Sequence, residues 1–279
     1  MVGFLAVPLS ALGELEKVLK IPPPGPELKI DFSGERLKYD ALWIGLKSGE
    51  AEINVSSVNG HYKISAFSRT VGPARVLYKL DDAVAAETTP EFAPVSYSLQ
   101  IREPAFKHNR FMVIDRKTKT ANAKRVSVGT GKVKERVFTF HQGFDPAGLT
   151  YLVRTLDWKP GMKQCFEFLD GKDRSLILLE AGPIENVKTK AGTFRAIRLK
   201  PFLFILPKTK EKETPELVAR IKNKQTNVGF ASWAYFWIAL DGKRPIILAR
   251  ANSLIGPVAL ELTSMTSGSL ESASSEPGK

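Results

Sequence analysis

Between Leu37 and Leu262 the chain repeatedly alternates apolar and polar positions with a period of two. In "ERLKYDALW", Leu37, Tyr39, Ala41 and Trp43 share one face, while Arg36, Lys38 and Asp40 share the other. Successive side chains of a strand point to opposite faces, so this beat predicts a half-buried strand. "GLKSG" (45–49) supplies a turn, after which Ala51, Ile53 and Val55 resume the apolar face. The Asn59-Gly60 pair is a hairpin signal, and "HYKISAFSRT" carries the beat on through Tyr62, Ile64 and Ala66. "VSYSLQI", "RFMVID", "RVFTF", "KQCFEFL", "SLILLEA", "TFRAIRLKP", "YFWIAL", "PIILARA" and "VALELTS" follow, separated by clusters of Gly, Pro, Asp and Asn. Roughly a dozen short strands at such spacing predict a mainly β chain: a single antiparallel curved sheet, barrel-like or a sandwich, not βαβ units.

Two stretches break the beat with helical spacing. In "DPAGLTYLVRTL" (145–156) Asp145 is placed to cap and Pro146 to occupy the first helical position, with Leu149, Leu152, Val153 and Leu156 as an apolar stripe. "TPELVARIKNKQ" (214–225) opens the same way inside a strongly basic insertion. "IPPPGPE" (21–27) is a stiff linker, since consecutive prolines favour polyproline II. These boundaries predict an N-terminal segment over 1–27, one β domain over 28–265 and a disordered tail over 266–279. The N-terminal "MVGFLAVPLSALGELEK" reads equally as the back half of a secretory signal without its basic region and as an amphipathic helix through Leu9, Leu12, Leu15, Val18 and Leu19.

Composition narrows the classes. With 43% hydrophobic residues the chain can bury a substantial core, yet no run approaches the roughly 18–20 apolar residues of a membrane-spanning helix. A lone cysteine, Cys165, excludes an intrachain disulfide and any multi-cysteine metal site. The formal charge of +12 favours polyanions such as anionic lipid, acidic cell-wall polymer or nucleic acid.

Candidate chemistry is sparse. No HExxH, GxSxG, phosphate-binding loop or dinucleotide fingerprint appears, and no cofactor or metal is expected. Of three histidines, His61 and His108 read as solvated loop residues, which leaves His141, just ahead of the predicted helix, as the candidate catalytic residue. Glu35 and Asp40 could pair across a sheet, although surface charge is the simpler reading. Arg116, Lys117, Lys119, Lys124, Arg125, Lys132, Lys134 and Arg136 form a basic hairpin ahead of Phe138 and Phe140. Cations beside aromatics can hold single-stranded nucleic acid, but the alternation there suits an ordinary strand with a solvated basic face. A curved sheet crossed by a helix can also enclose an apolar ligand, with Trp43, Leu152, Leu156, Phe202, Phe204, Trp233, Tyr235 and Trp237 as candidate lining.

The order of certain stretches resembles the bacterial exported proteins classed as domain of unknown function 3108. They are "GERLKYDALWIGLKSGEAEINV", "LYKLDDAV", "LTYLVRTLDWKPG", "VKTKAGTFRAIRLKP" and "FWIALDGKRPIILARANSLIGPVALEL". The resemblance implies a β-rich periplasmic or secreted protein and carries over no catalytic residues. The basic insertion over 205–230 departs from the pattern and is the candidate surface for a protein partner. Together these features point first to a non-enzymatic binding or carrier protein of the cell envelope, for lipid, glycolipid or cell-wall polymer. The alternatives are an envelope-polymer hydrolase centred on His141 and nucleic-acid binding through 116–136.

Overall fold

The computed structural model describes residues 29–205, 234–253 and 256–267. The N-terminal segment, the predicted basic helix over 214–225, Trp233 and the tail beyond Ser267 lie outside the described residues. Fourteen strands form one sheet: β1 (Glu35–Trp43), β2 (Leu46–Val58), β3 (His61–Thr70), β4 (Asp81–Thr88), β5 (Pro94–Arg102), β6 (Lys107–Asp115), β7 (Thr120–Ser127), β8 (Val133–Thr139), β9 (Lys163–Leu169), β10 (Arg174–Thr189), β11 (Gly192–Ile205), β12 (Tyr235–Ala239), β13 (Ile246–Ser253) and β14 (Gly256–Ser267). Helix α1 (Gly72–Leu77) links β3 to β4, and α2 (Pro146–Thr155) lies between β8 and β9. Every pairing is antiparallel, and the spatial order is β8 back to β1, then β14 back to β9. The first and last strands therefore meet in the middle of the sheet, and β8 and β9 are its two edges.

Because neighbours in sequence are neighbours in space, the turns alternate between two ends. The upper end carries the β1–β2, β3–β4, β5–β6, β7–β8, β9–β10 and β13–β14 connections. The lower end carries β2–β3, β4–β5, β6–β7, β10–β11 and β12–β13. The first turn is tighter than its glycines suggest: β2 resumes at Leu46, and Gly49 sits inside that strand. A Cβ there would lie 2.8 Å from the Arg69 carbonyl oxygen, so close strand approach is what demands glycine. β14 runs to Ser267, two residues past the expected boundary.

The inner face is laid out by register. Val55, Ile64, Ala86, Tyr97, Met112 and Ala123 are successive cross-strand partners from β2 to β7, and all are buried. Helix α2 packs against this half of the sheet at its lower end. Asp145 caps it as predicted, its Oδ1 accepting from the N–H groups of Ala147 and Gly148 (2.9 and 3.0 Å). Leu149, Leu152, Val153 and Leu156 join the core.

The helix is fixed at its other end by a buried ion pair. Glu35, at the lower end of β1, accepts from both terminal nitrogens of Arg154 (2.8 and 2.6 Å) and from the Tyr151 hydroxyl (2.9 Å). Arg154 also donates to the carbonyls of Arg244 and Lys243 in the β12–β13 turn, and its guanidinium lies over the rings of Phe32 and Tyr151. A buried pair adds little over a well-packed apolar substitute, but losing one partner strands a charge at about 3–5 kcal/mol. Glu35 is thus neither a surface charge nor the partner of Asp40, which binds Lys47 and Lys190 instead (2.6 and 2.7 Å).

Where α2 starts, packing is tight enough to exclude even a methyl group. A Cβ on Gly148 would lie 2.8 Å from the Phe92 carbonyl oxygen and 2.9 Å from Oδ2 of Asp145. That Oδ2 and the Thr88 hydroxyl are buried without partners, and burial pushes the Asp145 carboxyl up to about 6. A carboxyl raised in the fold contributes stability that is complete below its ordinary value and lost as pH rises through about 6. Asp145→Asn keeps the cap without the charge. Between about pH 4 and 6 the wild-type chain should lose on the order of 2–3 kcal/mol of stability to urea relative to the Asp145→Asn protein, the contribution of this one group. Parallel pH profiles for the two proteins would refute the assignment.

Candidate functional site

Helix α2 fills only part of the space inside the curved sheet. Between it and the inner faces of β1, β2, β9, β10 and β12 to β14 lies a cavity of about 410 Å³. Its walls are almost wholly apolar: Leu37, Tyr39 and Ile53 on one side, Phe168, Ile177 and Leu179 on another, Phe236, Ile246, Ala249 and Leu260 between them. The helix contributes Pro146, Leu149, Thr150 and Val153, and Tyr151 and Arg154 also border the space. The volume falls in the range of about 300–1,000 Å³ usual for small-ligand sites.

Few polar groups face this chamber, and those few are satisfied. The Tyr39 hydroxyl donates to the Ile246 carbonyl (2.9 Å), and burial raises its pKa. Arg154 and Tyr151 turn their polar ends to Glu35. The chamber therefore offers dispersion contacts rather than hydrogen bonds. Leu37 and Tyr39 are buried, whereas Ile53, Phe168, Ile177, Phe236, Ile246 and Leu260 are half-buried, so part of the apolar lining is solvent-accessible.

The edges of the sheet meet beside this chamber. Phe140 donates from its backbone to the Lys119 carbonyl, and Phe144 forms a parallel bridge with Phe168 of β9, so residues 140–145 strap one edge to the other. The wholly buried Glu167 carboxylate accepts three backbone N–H groups from this strap, those of His141, Gln142 and Gly143 (2.7, 2.8 and 3.2 Å), and pairs with Arg174. Above it, Arg110 of β6 binds Asp170, and Arg136 of β8 reaches the Lys172 carbonyl and Asp173.

The structure scatters the residues that the sequence singles out. Leu152 and Leu156 are core residues of α2 but do not border the chamber. Phe202 and Phe204 are cross-strand partners of Leu178 and Leu176, which puts them on the opposite face from Ile177 and Leu179. Trp237 shares that outer face through its partner Arg198, and its indole N–H donates to Glu185. Tyr235 lies beside it under Arg198 and Lys200, and Trp43 is half-buried at the upper end of β1. Phe202, Phe204 and Trp237 are the conspicuous residues of their strands, yet parity places them on the face away from the chamber, where they are buried. The chamber is lined by residues one position away, Ile177, Leu179 and Phe236 among them, and the signal for them is the register, which the turn lengths set.

His141 is positioned by its backbone bond to Glu167 and serves the strap. His61 begins β3 and its Nδ1 lies 2.8 Å from Glu87. His108 is not solvated: it is buried on the inner face of β6, where Arg110 donates to its Nε2, and burial beside Arg125 and Arg110 lowers its pKa. Among the described residues no cluster of three metal-ligating side chains occurs.

The basic hairpin does not form one surface. Arg116, Lys117 and Lys119 sit at the β6–β7 turn of the lower end, and Lys132 at the upper end, separated by the length of β7, about 23 Å. Lys124 lies within 3.6 Å of Glu135 on the outer face, while Arg125, Lys134 and Arg136 belong to the inner one. Phe138 and Phe140 are core.

A family model described as a protein of unknown function, DUF3108, matches residues 38–263. The chain belongs to this family. No curated protein matches the sequence of this DUF3108 chain. Among solved structures it is similar to a β-barrel-like protein of another domain of unknown function, DUF1849, from Brucella abortus. That match has a TM-score of 0.52 and 8% identity, and covers 84% of this chain and 98% of the other. Two further matches have a TM-score of 0.35, 10% identity and 84% coverage of this chain. They are a presumed exported protein with a YmcC-like fold from Bacteroides fragilis, 96% covered, and a presumed lipoprotein from Parabacteroides distasonis, 95% covered. The first of the three supports the fold of this DUF3108 chain: an antiparallel, barrel-like sheet. No helix among the described residues is long and apolar enough to cross a membrane.

If the chamber is the binding space, filling it should abolish uptake of a small apolar dye. Ala249→Trp should weaken dye binding about tenfold or more, at a stability cost of about 1–3 kcal/mol from overpacking. Phe202→Ala, on the outer face, should lower stability without changing dye affinity. Equal affinity of Ala249→Trp and wild type in a fluorescence titration would rule the chamber out.

Proposed function

We propose that this protein is a non-enzymatic binding or carrier protein of the bacterial cell envelope. Its ligand is an apolar chain, that of a lipid or glycolipid, lodged between α2 and the inner sheet. One observation carries the reading: an apolar space of about 410 Å³ beside α2 whose lining remains partly solvent-accessible. Protein interiors are normally filled to crystal-like density, so a space of this size beside a rigidly held helix favours an occupant. Its satisfied polar groups leave nothing to activate a bond, which favours holding over turnover. The apolar stretch within residues 1–13 and the family resemblance support a place outside the cytoplasm.

Native mass spectrometry of the full chain purified from a bacterial host tests the reading. Wild-type protein should carry retained lipid mass that Ala249→Trp lacks. Bare protein mass for both, under conditions that preserve lipid on a known carrier, would overturn the proposal.

A further inference from the structure

The chamber does not use the most exposed apolar side chains of the connections between strands. These are Val76 (89% exposed), Leu77 (76%), Leu46 (75%), Ile44 (60%) and Phe106 (56%), while Val137 (65%) and Val113 (61%) are exposed on strands β8 and β6. All five lie in connections of the upper end: Ile44 and Leu46 at the β1–β2 turn, Val76 and Leu77 at the end of α1, Phe106 in the β5–β6 turn. The lower-end turns read differently, with Asn59-Gly60, Arg116-Lys117 and Asp241-Gly242 at their tips. An exposed large apolar residue needs no explanation singly, but a concentration in the connections of one end of a barrel-like sheet does, against Val58 (40%) at the other.

Two other features share that end. Lys79 and Lys107 stand beside the α1 and β5–β6 connections and Lys132 in the β7–β8 turn, and they form no ion pair among the described residues, while Glu103 in the β5–β6 turn accepts from the Tyr78 hydroxyl. The chamber residues Phe168, Ile177 and Phe236 also lie toward it and are half-buried, as is Ile246 at the lower end. Apolar tips with unpaired lysines nearby match the interface of a bilayer containing anionic lipids: the tips reach the acyl boundary while the ammonium groups stay among the headgroups.

We propose that the upper end of the sheet is a peripheral membrane-docking surface for anionic bilayers, anchored by Val76, Leu77, Ile44, Leu46 and Phe106. This goes beyond the carrier reading, because it depends on the tips and not on what the chamber holds.

Vesicle co-sedimentation of the full chain tests it, using phosphatidylcholine vesicles with and without about a third phosphatidylglycerol. Wild-type protein should sediment with the anionic vesicles and far less with the neutral ones, and added salt should weaken the binding. Val76→Asp with Leu77→Asp should lower vesicle affinity about tenfold or more while leaving the circular dichroism spectrum and dye uptake unchanged. Val58→Asp, at the lower end, should bind as wild type. Failure of the wild-type chain to sediment with anionic vesicles, or equal sedimentation of the Val76→Asp/Leu77→Asp protein, would overturn the proposal. Concentration-dependent dimerisation abolished by the same two substitutions, without vesicle binding, would reassign the surface to a second copy of the chain.

Discussion

A fourteen-stranded antiparallel sheet that does not close leaves two edge strands, β8 and β9 among the described residues, and the rest of the structure follows from how they are managed. Free edges invite pairing with other chains. Here β8 and β9 are brought together by side chains and a strap rather than by a ladder. The Glu167 carboxylate collects three N–H groups of residues 141–143, and the Arg110–Asp170 and Arg136–Asp173 pairs bind the two margins above it. Such a closure needs no fixed register between the edge strands. It therefore lets the sheet curve around a helix that enters directly from the strap.

The helix cannot then settle wherever apolar packing is best. It is tied at one end by the Asp145 cap against the β4–β5 turn, and at the other by Arg154 to Glu35 and the β12–β13 turn. Held across the lower end, it packs on β4 and touches β9, and leaves a space lined by β1, β2, β9, β10 and β12 to β14. The chamber is thus the geometric remainder of a constrained helix in a wide, incompletely closed barrel. An unpinned helix would be expected to slide into that space, since collapse restores the dispersion attraction that a gap forfeits.

Much of this architecture was legible in the sequence, and the exceptions have definite causes. The two-residue beat from Leu37 onward, the Asn59-Gly60 turn and the Asp145-Pro146 helix start are local signals, and each formed as read. β4 and β7 are faint in the sequence because alanines such as Ala83, Ala86, Ala121 and Ala123 supply many of their apolar positions, which gives too little contrast for a period to show. The candidate site was less legible. Trp237, Phe202 and Phe204 look like ligand-binding residues by size, but one residue of register separates the inside of a sheet from its outside. Glu35, Arg154 and Glu167 are distant in sequence, and nothing local announces that a surface-looking glutamate is wholly buried. His108 misled for the same reason: its neighbours in "FKHNR" are polar, while its cross-strand neighbours place it on the inner face.

What ties the closure, the helix and the function together is the claim that the space above α2 is real, dry and apolar. Diffraction from a crystal pressurised with xenon tests that most directly, because xenon enters dry apolar cavities and not hydrated ones. The account predicts xenon density bounded by Leu179, Phe236, Ala249 and Leu260, displaced in crystals that retain a lipid. Ordered water throughout that volume, or side chains of β10 and β12 packed across it with no xenon bound, would contradict it.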